Sequence, residues 1–338
     1  MGRALRWLAV ATTAGMFLVL VMGAAVTNTG SAEGCGRSWP LCNGQFVPEF
    51  TVATAIEYSH RAVTGMEGLL VVALAAAMLL LWRADREVQV LVPLMLGTLV
   101  LQAALGAAAV MVPQSTAVLA SHFGVSLVAF ASTFLSASYV FSQTPTQTQT
   151  RLRTAREAGA PRSFSGGPSA PTYSMAEEAP APAILRQWVL ASVLYVLLVV
   201  YLGAYVRHAG VSLGCVDWPL CNGQLIPSLD GATGVVFAHR VAALGAALLL
   251  GWLALLARRL RVGARPALHA FGLALVQALS GALVVWLRLD LFSTLAHAGV
   301  MALLFAALCV LVRRVLLPRG ATMAAGARRA ASLRTTSA

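Results

Sequence analysis

Lysine is missing from the chain: all 24 basic residues are arginine. Charge of either sign is scarce, at 11% of residues, where a soluble domain carries about 25%. Aromatic residues are also few, at 7%. A surface so poor in charge excludes most soluble enzymes. The apolar stretches do not alternate with polar residues, which excludes a porin-type barrel. What is abundant is hydrophobic: 59% of the residues, with a mean hydropathy of +0.78. One anchor on a soluble body cannot raise the mean of 338 residues that far. The composition specifies an all-α, polytopic membrane protein.

A helix crosses the hydrocarbon core with about 20 apolar residues. Eight such stretches lie at roughly 5–27, 54–82, 89–112, 116–141, 185–206, 233–257, 266–288 and 292–317. The first has the look of a secretory signal, with Arg3 and Arg6 before the apolar run and Gly23, Ala24 and Ala25 after it. Its apolar part is long for a signal, and its end recurs later in the chain, so it is expected to be retained. The net charge of +12 would suggest nucleic acid in another setting. Here it follows topology. With the N-terminus in the cytoplasm, Arg3, Arg6, Arg83, Arg86, the arginines of the 4–5 and 6–7 loops and those of the tail share one side, 19 of the 24. The positive-inside rule then predicts both termini in the cytoplasm, with no nucleic-acid partner. Residues 142–183 are rich in Thr, Gln, Pro, Ser and Ala and read as a disordered cytoplasmic linker. The expected organisation is a four-helix half over 1–141, the linker, a second half over 184–317 and a tail over 318–338.

The halves repeat each other. Gly34-Cys-Gly-Arg-Ser-Trp-Pro-Leu-Cys-Asn-Gly-Gln45 pairs with Gly214-Cys-Val-Asp-Trp-Pro-Leu-Cys-Asn-Gly-Gln224, and Gly23-Ala-Ala-Val matches Gly203-Ala-Tyr-Val. Eighteen residues after the second cysteine of each half stands His-Arg, His60-Arg61 and His239-Arg240. The third spans match through Gln102-Ala-Ala-Leu-Gly-Ala107 and Gln277-Ala-Leu-Ser-Gly-Ala282, and twenty residues after each glutamine come His122 and His297. Four crossings per half keep the repeats in one orientation, so two tandem four-helix bundles related by a pseudo-two-fold axis are expected.

His60 falls about one and a half turns inside its span, roughly 9 Å at 1.5 Å per residue, and His122 enters from the same side to a comparable depth. The second half repeats this with His239 and His297. Polar groups at membrane depth are functional candidates, and two imidazoles from two helices suit axial ligation of one haem iron. Zinc would want a third or fourth ligand, and none recurs in both halves. His208 and His269 lack repeat partners and read as structural or surface residues.

Cys35 with Cys42, and Cys215 with Cys221, sit in equivalent loops facing an oxidising compartment, where disulfides persist. Each spacing can close a loop; structural clips are the expectation and a redox role is the alternative. Cys309 reads as packing. The repeat is broken at Glu57, three residues before His60 on the same helix face, because the corresponding residue is Val236. A carboxylate beside only one histidine pair suggests that the halves do different work, with Glu57 handling protons; the plainer alternative is a favourable charge at a helix start. Arg61 and Arg240 suit either haem propionates or snorkelling to the interface. Glu67 is deeper and receives no role.

Together these residues resemble the haem A synthase family, over nearly the whole chain except the linker and the tail. The resemblance implies oxidation of a ring methyl of haem O to a formyl group by successive hydroxylations. It implies a resident haem b on His239 and His297, the haem O substrate on His60 and His122, and Glu57 as the catalytic carboxylate. The disulfide candidates Cys35–Cys42 match the pair of many bacterial members. Implied partners are haem O synthase and assembly factors of haem-copper oxidases, in a bacterial cell membrane. The rival is a di-haem b cytochrome carrying electrons between quinol and a partner, which predicts two equivalent sites. A disulfide-forming oxidoreductase would leave four histidines without a role, and a transporter would need spans broken at corresponding positions.

Overall fold

The computed structural model describes residues 2–111, 115–143 and 181–316. Eight apolar helices account for most of them: α1 (Gly2–Asn28), α2 (Val52–Trp82), α3 (Arg86–Met111), α4 (Thr116–Ser142), α5 (Ala183–His208), α6 (Gly231–Arg259), α7 (Ala264–Trp286) and α8 (Leu291–Leu316). Each is long and apolar enough to cross a membrane. Residues 144–180 of the expected linker, and all of the expected tail, lie outside the described residues.

Helix ends follow local chemistry and depart from the expected spans by a few residues. Thr51 caps α2, its hydroxyl accepting the Thr54 N–H at 3.2 Å. α7 stops at Trp286, two residues before its expected end, because Arg288 and Leu289 turn into the left-handed region with φ of 53° and 67°. Pro93 lies inside α3, and its repeat counterpart is Leu268, so the described helices hold no matched pair of spans interrupted by proline.

In the first half α1 and α3 each pack against α2 and α4; in the second half α5 and α7 each pack against α6 and α8. Among the described residues three main helix packings join the halves: α1 with α8, α4 with α5, and α4 with α8. The first two are one contact with the repeats exchanged, so a pseudo-two-fold axis passes between α4 and α8. α4 and α8 are rich in small buried residues, among them Ala129, Ser132, Thr133, Ser136 and Ala137 on α4 and Ala302 and Ala306 on α8, which allow close helix approach. The outer helices keep Leu69, Leu80, Val100, Leu244, Leu248 and Leu279 exposed, as an apolar solvent requires.

The two ends differ. At one, Arg313 of α8 donates to Ser138 O (2.7 Å) and Ser142 Oγ (2.8 Å) of α4. Trp82 packs edge-on to Tyr139 there, and the Tyr139 hydroxyl meets Asp85. At the other end lie the two disulfide loops. Arg207 of α5 reaches across to α1 at this end, donating to Asn28 Oδ1 at 2.7 Å and Thr27 O at 3.2 Å.

Candidate functional site

The four repeated histidines occupy four matched places in the bundles. His60 projects from α2, His122 from α4, His239 from α6 and His297 from α8. Each ring lies against a glycine of a neighbouring helix. A Cβ at Gly23 of α1 would stand 3.3 Å from His60 Cε1, and one at Gly106 of α3 would stand 3.5 Å from His122 Cε1. In the second half the values are 2.8 Å for Gly203 against His239 and 3.3 Å for Gly281 against His297. Both glycine pairs belong to the repeated segments, and their role is steric: they clear the volume into which an imidazole folds.

The histidines carry buried nitrogens of unequal satisfaction. Among the described residues, Nδ1 of His60, His122 and His239 has no hydrogen-bond partner. His297 Nδ1 lies 2.8 Å from Ser280 Oγ, with Gln277 Nε2 3.2 Å away. Buried polar atoms left unpaired in a native interior mark a site. No group of three or more His, Cys, Asp and Glu among the described residues could hold a bare ion. Paired imidazoles cradled by glycine fit a planar macrocycle that brings four equatorial ligands of its own.

Over each pair sits a clipped loop. Disulfides join Cys35 to Cys42 and Cys215 to Cys221, with Cα–Cα distances of 4.4 and 4.6 Å. The following Asn43-Gly44 and Asn222-Gly223 have φ of 51°, 76°, 55° and 75°, as a type I′ turn demands. The turn pairs Cys42 with Gln45 and Cys221 with Gln224. Gly34 and Gly214 let each loop lie on the helix below, where Thr54 and Thr233 hydroxyls donate to their carbonyls at 2.9 and 3.0 Å. An arginine one residue beyond the histidine ties the loop down. Arg61 Nη1 donates to Ser38 O (2.8 Å) and Leu41 O (2.7 Å), and Arg240 Nη1 to Asp217 O (2.9 Å) and Leu220 O (2.7 Å).

The halves part at Glu57. Only 4% exposed, it takes the Cys35 N–H on Oε2 at 2.8 Å and Arg61 Nη2 on Oε1 at 2.5 Å. In the second half Val236 packs against Cys215 and Cys221, and Arg240 Nη2 turns to Cys215 O at 3.2 Å. Asp217 stands where the first loop has Ser38. Its carboxylate accepts the Gly223 N–H at 2.8 Å and the Asn222 N–H at 2.6 Å. The bond from Gly223, ahead of that from Asn222, holds its pKa below the usual aspartate value.

Other candidates fall elsewhere. His208, two residues past the expected end of its span at Val206, closes α5; it lines a cavity of about 240 Å³ with Thr27, Glu33 and Leu119. His269 is exposed on α7, and Cys309 is free and buried. Glu67 is 3% exposed with Oε1 unpartnered among the described residues, and its carboxylate occupies the space left by Gly15. Reading the residues by type missed the glycine cradles and the Gln277 and Ser280 contacts. Their signal was present, since all lie in repeated segments beside the histidines.

The family described as cytochrome oxidase assembly protein matches residues 47–162 and 186–234. Among similar proteins, the heme A synthase of Symbiobacterium thermophilum is 40% identical over 305 residues, 88% of this chain and 90% of its own. That of Geobacillus kaustophilus is 38% identical over 336 residues, 96% of each chain. That of Bacillus licheniformis is 38% identical over 322 residues, 91% of this chain and 95% of its own.

Proposed function

The chain belongs to the haem A synthase family, and on that premise we propose that it converts haem O to haem A. The single observation carrying this reading within the molecule is the pair of half-buried, glycine-cradled imidazoles in each four-helix half. The reaction turns a ring methyl into a formyl group through hydroxymethyl and gem-diol stages. Written with water as the oxygen source, it adds one oxygen atom and passes four electrons and four protons from the methyl carbon and that water to acceptors. Sites for protons beside the substrate are therefore needed, and Glu57 supplies one.

In this reading His60 and His122 hold the haem O substrate, and His239 and His297 hold a resident haem b. When bound, that haem b supplies a one-electron redox couple. Glu57 stands one turn above His60, with Arg61 and the Cys35 N–H fixing its two oxygens. The carboxylate is thus oriented by the clipped loop and accepts protons released at the substrate. Val236 puts no proton acceptor at the equivalent place, which suits a haem that is only a redox partner. Arg61 and Arg240 each anchor a loop and retain further N–H groups for propionates, since a guanidinium carries five. Cys35–Cys42 and Cys215–Cys221 act as structural clips.

The arginine distribution supports a bacterial plasma-membrane protein with both termini in the cytoplasm and both loops outside. The product would supply a haem-copper oxidase, with haem O synthase delivering the substrate. The test is expression in a host that makes haem O, followed by haem extraction and mass analysis. Haem A and its hydroxymethyl precursor are expected; haem O left unchanged with an electron supply present would refute the reading.

A further inference from the structure

The fourth-helix histidines of the two halves are held differently. His297 is fastened from α7. Its Nδ1 lies 2.8 Å from Ser280 Oγ, whose own hydroxyl donates to Gln277 O at 2.8 Å, so Nδ1 carries the proton. Nε2, with the Gln277 amide 3.1 Å away in the place an iron would take, is the nitrogen left to ligate. Such partners fix the tautomer and rotation of a ligating imidazole and raise its basicity.

The first half keeps the glutamine, Gln102, but makes neither contact with its histidine. Leu105 stands where the second half has Ser280, and it offers no hydrogen bond. Ser126 stands where the second half has Met301, and it captures the Gln102 amide while donating to His122 O at 2.9 Å. The glutamine is thereby drawn one turn past His122. His122 Nδ1 is left buried without a partner among the described residues. Its glycine neighbour gives only ordinary contact, 3.5 Å from a Cβ at Gly106, where Gly281 would crowd His297 at 3.3 Å. The second-helix histidines are alike at Nδ1, which is unpartnered in both His60 and His239, while His239 has a backbone hydrogen bond to Val199 besides.

Resting on the reading that each pair holds a haem, we propose that His122 is the releasable ligand. It yields its iron position to a small exogenous ligand of the diatomic class, while His297 does not. Leu105 sets this difference as a positioning residue, by withholding from His122 the Nδ1 bond that Ser280 gives His297, and Ser126 keeps the Gln102 amide away from the ring. In the exchange the Fe–N bond to His122 breaks and one bond from the iron to the incoming ligand forms. No electron is transferred. A substrate that must meet an oxidant at its iron needs such an opening, and a resident redox haem is better kept closed.

Carbon monoxide added to the dithionite-reduced, full-length, haem-loaded protein tests this by optical difference spectra and by titration against extracted haem. The wild type is expected to bind one CO per protein, on the haem population that disappears in His60→Ala. The double variant Leu105→Ser/Ser126→Met rebuilds the second-half surroundings. It should weaken CO binding by about 10- to 100-fold, the usual effect of such outer partners, with haem content unchanged. Ser280→Leu should give the second half a CO-binding haem, and it decides the matter alone if the double variant does not load. CO binding to neither haem, to both equally, or to the His239/His297 haem would overturn the proposal, as would CO binding unaltered by both sets of substitutions. If His60→Ala and His122→Ala leave haem content unchanged, it is the underlying two-haem reading that fails.

Discussion

A methylene's worth of space decides whether each imidazole can fold into its bundle. The four glycines facing the histidines are graded, from a crowded 2.8 Å at Gly203 to ordinary contact at Gly106. Gly203→Ala should therefore displace His239 and lower haem retention in the second half by several-fold, whereas Gly106→Ala should leave the haem-to-protein ratio near wild type. Equal losses in both would contradict the cradle. At Glu57, replacement by Gln keeps the shape and the Cys35 N–H contact but removes the charge facing Arg61. Conversion of haem O should fall by about 10²-fold or more, the range for a lost acid–base group, with the His239/His297 haem still present in the spectrum. The residues that carry these expectations were visible to different degrees. The histidines and Glu57 stand out because a polar side chain in an apolar run is conspicuous. Gly23 and Gly106 do not, because glycine is ordinary in membrane helices, and only the facing ring shows why they are there.

At the level of elements, the spans and the duplication were legible from hydropathy and spacing, since lipid demands long apolar helices and a repeat preserves offsets. Details of the ends were not: two non-glycine residues in left-handed conformation closed α7 early, and nothing in their identity announces that. The loops show how one frame has been fitted with different parts. Asp217 holds the second turn with a carboxylate, and Ser38 holds the first with a hydroxyl reaching Gly44 N at 3.2 Å. A carboxyl whose folded-state pKa is depressed stabilises above its unfolded pKa and loses that contribution as pH falls through the folded value. The Cys215–Cys221 loop should thus exchange its amide protons faster in acid below the ordinary aspartate range, and Asp217→Asn should abolish that change. Removing the Cys215–Cys221 bridge should cost about 2 kcal/mol, as expected for so short a closed loop, seen as a lower unfolding temperature of the reduced protein.

Across the whole molecule the two halves are joined by α1, α4, α5 and α8, with Arg207 bonding at the loop end and Arg313 at the other. That is enough contact for the halves to find each other without a peptide bond between them. Co-expression of residues 1–160 and 161–338 as separate chains should yield a complex that co-purifies and retains haem; halves that purify separately would show that the covalent connection is required. The relation of the halves could be anticipated from the even number of spans, but which helices meet on the axis could not, because small residues occur along most of them.

That axis has a consequence for electron flow. His122 and His297 belong to α4 and α8, the two helices that touch across it, and packed helices lie about 8–10 Å apart. In the proposed two-haem reading, electrons would cross that one helix seam by tunnelling, with no diffusing carrier or bridging cofactor, so the two sites would work as a single circuit inside the membrane.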